Sequence, residues 1–71
     1  MEKRERFKKV AVARTNKILN DLRLLGNCSN KNNYQYDEKD LKKIFSAIEN
    51  ELKKTKAKFL GNGESENKFT L

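Results

Sequence analysis

The chain has 71 residues, with 17 Lys and Arg against 10 Asp and Glu, a formal net charge of +7, one Cys, no His and no Pro. A length of this order supports one small domain, which buries only about 60% of the surface exposed by its unfolded form. The single Cys28 and the absence of His exclude an intrachain disulfide and the usual zinc cage, and leave no ordinary general base near neutral pH.

The first segment, MEKRERFKKVAVARTNK, starts basic but has no apolar run of the roughly seven or more residues that a signal peptide needs, so it reads as neither a signal peptide nor a membrane span. Good helix formers continue to Leu25, and Phe7, Ala11, Thr15, Ile18, Leu22 and Leu25 recur at the spacing of one helix face. Gly26 follows, where a helix C-cap favours a residue able to take positive φ. These signals predict a helix over about residues 3–26.

Residues 27–36, NCSNKNNYQY, form a polar connection longer than an antiparallel helix pair needs. Asn27, Asn30, Asn32 and Asn33, with Ser29, can bond their own backbone and order such a loop without glycine. Lys31 adds charge there, and Tyr34 and Tyr36 offer stacking surfaces suited to a base or sugar. The alternative role for the tyrosines is to cap the end of a helical bundle.

Asp37 then serves as an N-cap, with Asp40 three residues on as a weak capping box. Glu38 and Asp40 in the first turn, and Lys53, Lys54, Lys56 and Lys58 near the end, suit the helix dipole. The apolar face reads Leu41, Phe45, Ile48, Leu52, Thr55 and Phe59, with Ile44 beside it, predicting a second helix over about residues 37–60. Residues 61–71, GNGESENKFTL, read as a flexible tail whose Phe69 and Leu71 are available for docking.

One antiparallel register aligns both faces: Leu25 with Leu41, Leu22 with Ile44, Ile18 with Ile48, Thr15 with Leu52, Ala11 with Thr55, and Phe7 with Phe59. The expected fold is therefore all-α, an antiparallel two-helix hairpin over residues 1–60. Two helices leave each seam residue open on one side, and Val10, Val12, Leu19, Leu24 and Leu60 form a flanking apolar set. Assembly into a four-helix bundle or a larger homo-oligomer follows as the expectation.

The charge is uneven. Residues 1–26 carry eight basic and three acidic side chains. In the hairpin register Lys3, Arg4, Arg6, Lys8 and Lys9 meet Lys53, Lys54, Lys56 and Lys58 at the open end. Cations at the start of a helix oppose its dipole, so their presence points to an anionic partner, although a solvated basic face accounts for them equally well. Arg14 sits at the edge of the apolar face, placed to snorkel past it or to line a pocket shared between copies.

The stretches RTNKILNDLRLLGNCSN and YDEKDLKKIFSAIENELKKTKAKF, within Arg6 to Phe59, resemble short, mostly uncharacterised helical proteins encoded on bacterial mobile elements such as phages and plasmids. The resemblance implies a context of countering host defences or assisting DNA transfer, in the cytoplasm of a bacterial host. It transfers no activity.

The residues and this context lead to a binding protein, not an enzyme, with no cofactor, no metal and no membrane. Its expected partners are itself and a phosphate-bearing ligand. The first form of that ligand is a nucleotide signal sequestered without turnover, held by Arg4, Arg6, Arg14, Lys31 and Tyr34. The second is DNA or RNA backbone, bound without sequence preference by Lys3, Arg4, Arg6, Lys8, Lys9, Lys53, Lys54, Lys56 and Lys58. Inhibition of a host protein is the third.

Overall fold

A computed structural model describes residues 2–61 and is all-helical, with no strand among them. Helix α1 runs Lys3–Gly26, a single 3-10 turn follows over Asn27–Ser29, and helix α2 runs Glu38–Phe59. The chain divides between Gln35 and Tyr36 into two units, one carrying α1 and its following turn, the other α2. The expected tail, with Phe69 and Leu71, lies outside the described residues.

In the first unit, Glu2 caps α1. Its Oε1 accepts from the backbone N–H of Arg4 at 2.8 Å and of Glu5 at 3.1 Å, satisfying two donors that have no partner inside the helix. The carboxylate also places negative charge against the positive end of the dipole. The other end differs from expectation. Gly26 is not a left-handed cap: it has φ −59° and ψ −30°, ordinary helical values. The Asn27 N–H is shared among the carbonyls of Arg23, Leu24 and Leu25, so the helix tightens into the 3-10 turn and ends without a residue of positive φ.

Asn30 organises the connection that follows. Its carbonyl accepts from Asn33 N–H at 3.1 Å and Tyr34 N–H at 3.0 Å, and its side-chain Oδ1 accepts from Asn32 N–H at 2.9 Å. The side-chain bond is the local Asx geometry that Asn offers in competition with helix. It orders the loop from one residue.

In the second unit, α2 opens on a complete capping box. Asp40 N–H donates to Asp37 Oδ1, and Asp37 N–H donates to Asp40 Oδ2. The helix closes with Leu60 N–H on the Lys56 carbonyl, and Gly61 takes φ +72° immediately beyond. This is the left-handed position after a helix that glycine occupies without Cβ strain.

Each helix carries an apolar stripe. On α2, Leu41, Ile44, Phe45, Ile48, Leu52, Thr55 and Phe59 fall within an arc of about 100°. On α1 the stripe of Phe7, Ala11, Thr15, Ile18, Leu22 and Leu25 is flanked by Val12 and Leu19 on one side and Val10 on the other, so its apolar surface is broader and less sharply bounded. No described residue is buried. Ala11, Leu25, Tyr36 and Ile48 are half-covered, whereas Ile18 keeps 59% of its surface exposed, Phe45 46% and Leu52 54%. A chain that leaves this much large apolar surface in water lacks the main driving force for folding.

Candidate phosphate-binding surfaces

Five residues carry the nucleotide expectation, and all lie in the first unit. Arg4 and Arg6 are two positions apart on α1, which sets them about 160° apart around the axis. Arg14 lies about 15 Å further along the axis than Arg4, and about 18 Å of helix separates it from Gly26. Lys31 and Tyr34 follow beyond that, in the turn built on Asn30. Within one unit these five side chains do not converge on a volume the size of one nucleotide. The Arg4 guanidinium is also engaged locally, 6.0 Å from the centre of the Phe7 ring. Lys31 and the half-exposed Tyr34 (51%) do share one ordered turn.

The residues of the nucleic-acid expectation fall into two groups. Lys3, Arg4, Arg6, Lys8 and Lys9 surround the first two turns of α1, are all exposed, and none has an ion pair to a described residue. Lys53, Lys54, Lys56 and Lys58 occupy the last turns of α2, likewise exposed and without an ion pair to a described residue. Lys17 differs, reaching Asp21 at 3.4 Å one turn along α1. Arg23 is also occupied, donating from Nη1 to Asn20 Oδ1 at 3.2 Å.

Angular placement reveals a surface that counting charges by segment misses. Opposite its apolar stripe, α2 presents Lys39, Lys42, Lys43, Lys53 and Lys54 within an arc of about 120°. Ser46, Asn50 and Ala57 occupy the remaining positions of that arc, and no acidic residue falls inside it. Asp40 and Glu51 lie outside one border and Glu49 at the other. Glu49 precedes Lys53 by one turn without pairing with it. Lys56 and Lys58 point to either side of the arc. The signal was available in the sequence as the spacing 39, 42, 43, 46, 50, 53, 54, 57, which is the recurrence of one helix face.

The comparable face of α1, with Arg6, Lys9, Lys17 and Arg23, includes Glu5, and its Lys17 and Arg23 are engaged as described. Its positive field is correspondingly weaker. Among the described residues no group of three or more Cys, Asp or Glu is placed to hold a metal ion. No helix among them is long and apolar enough to cross a membrane. No family model, curated protein or solved structure matches the chain.

Proposed function

We propose that the two apolar stripes pair as an antiparallel hairpin, that hairpins associate into a bundle, and that the assembly binds the phosphate backbone of nucleic acid by charge, without turnover. The observation that carries the ligand is a dense set of exposed cations without an ion pair to a described residue, Lys3, Arg4, Arg6, Lys8 and Lys9 on the first two turns of α1 and Lys53, Lys54, Lys56 and Lys58 on the last turns of α2. Nine cations, with those on α1 set all round the axis, suit a polyanion with many phosphates better than a compact ligand. The hairpin and bundle are supported by the matching spacing of the two stripes and by the absence of any buried residue among those described.

Charge-driven binding of this kind weakens steeply with salt, with a slope of log K on log salt of about −0.9 for each phosphate neutralised on B-DNA. Anisotropy titration of labelled DNA and RNA at two salt concentrations tests it. Affinity at low salt that falls with added salt supports the reading. No binding at low salt, or binding insensitive to salt, rejects it.

A second reading, sequestration of a nucleotide signal in an anti-defence role, is favoured by one observation: the Asn30 turn presents Lys31 and Tyr34 together on an ordered backbone. Arg4, Arg6 and Arg14 would complete such a site only from other copies in an assembly. Inhibition of a host protein, as the sequence context suggests, becomes the leading reading if neither phosphate ligand binds.

A further inference from the structure

Resting on the polyanion reading above, we infer that the surface of α2 opposite its apolar stripe is a duplex-binding face, which straddles a groove and places one lysine cluster on each of the two phosphate rows that wall it. Lys39, Lys42 and Lys43 form the first cluster and Lys53 and Lys54 the second. From Lys43 to Lys53 is about 15 Å of helix axis, somewhat more than the major groove's width of about 12 Å. Between the clusters the arc carries only the short side chains of Ser46 and Asn50, with Ala47 just beyond one border and Glu49 just beyond the other. The middle of the face can therefore approach the groove while the long lysines reach outward to its walls. A single strand has one phosphate row and offers the second cluster no equivalent partner.

Helix stability alone does not account for the arrangement. Lys53 and Lys54 lie toward the C-terminus, where the dipole favours cations, but Lys39 stands in the first turn, where it opposes them. Lys39 and Lys43 also stand one turn apart as a like-charge pair. None of the five has an ion pair or hydrogen bond through its side chain with a described residue. The capping box and the acidic first turn offset this repulsion, and a duplex phosphate row relieves it. The apolar stripe lies on the opposite side of the same helix, so packing the stripe leaves the lysine face in solvent.

The test is an anisotropy titration of the full chain against a labelled DNA duplex of about two helical turns and against one of its strands. Five phosphate contacts alone account for a roughly 500-fold loss of affinity between about 50 and 200 mM salt. The expected result is tighter binding of the duplex, and in the variant K39Q/K42Q/K43Q/K53Q/K54Q a salt slope shallower by about 4.5 with the duplex preference gone. The control K3Q/R4Q/R6Q/K8Q/K9Q keeps that preference. On the unmodified chain, bound duplex is expected to shield Lys39, Lys42, Lys43, Lys53 and Lys54 from acetylation, a readout that needs no variant to fold. An unchanged slope and preference in the α2 variant, or no shielding, overturns this inference while leaving the polyanion reading standing. No binding of either nucleic acid by the unmodified chain removes both.

Discussion

Asp37 and Asp40 exchange hydrogen bonds at the start of α2, Asp40 N–H to Asp37 Oδ1 at 2.9 Å and Asp37 N–H to Asp40 Oδ2 at 3.0 Å. Two carboxylates three positions apart thus satisfy each other's backbone donors, and their charge faces the positive end of the helix dipole. Asp37→Ala is expected to destabilise α2 by about 1 kcal/mol, whereas Asp37→Asn, which keeps the acceptor, retains most of the stability. Thermal melts followed by circular dichroism separate the two. Equal losses from Ala and Asn would mean that charge, not the hydrogen bond, does the capping.

The two described glycines are expected to respond with opposite signs. Gly26 is helical, and a Cβ built there meets nothing within 4 Å. Gly26→Ala should therefore stabilise by about 0.5–1 kcal/mol. Gly61 has φ +72°, where an L side chain is strained, so Gly61→Ala should destabilise by about 1 kcal/mol and fray the end of α2. Denaturant titration of the two variants checks the signs, which matter more than the magnitudes.

The proposed association of stripes would make stability depend on concentration. The unmodified chain is expected to melt at higher temperature as its concentration rises, because assembly acts as a ligand for the folded state. Ile18→Asp or Ile48→Asp should abolish the cooperative transition, since an unpaired charge in a closed seam is costly. Sedimentation at micromolar concentration supplies the independent measurement. A monomer that still unfolds cooperatively would rule out the assembly.

A nucleotide held at the Asn30 turn has its own signature. A thermal-shift panel that includes cyclic dinucleotides should then show one member raising the melting temperature. Tyr34→Ala should weaken that member by about 1–3 kcal/mol, the worth of a stacked base. Lys31→Gln should weaken it in a salt-dependent way. No shift from any member would leave the backbone reading alone.

Both helices were legible because their signals agree at every level. The apolar recurrence, the Asp37 cap and the good helix formers all point to the bounds found, Lys3–Gly26 and Glu38–Phe59. Gly26 misled for a physical reason: its freedom to take positive φ is a capacity, and the shared Asn27 N–H made using it unnecessary. Glu2 was missed as a cap because Glu is not among the favoured N-cap residues, although here its longer side chain reaches two backbone donors. The basic surface was half legible. Counting charge along the chain located the Lys-rich end of α2, whereas Lys39, Lys42 and Lys43 join Lys53 and Lys54 only when residues are placed around the axis. The five residues of the nucleotide expectation were chosen by type, and type says nothing about the distance that α1 puts between them.

Cys28 is the chain's one thiol, and it lies exposed in the 3-10 turn that follows α1. Its position makes it a polarity reporter for any pairing of hairpins. Two copies side by side with their connections at the same end bring their Cys28 residues to one pole, where Cα atoms about 4.4–6.8 Å apart can be bridged. Two copies running head to tail separate the thiols by nearly the length of the 24-residue α1, about 36 Å, and no disulfide can span that. Mild air oxidation followed by non-reducing electrophoresis therefore reads the direction of assembly from the native sequence, with no residue changed: a covalent dimer reports same-end packing.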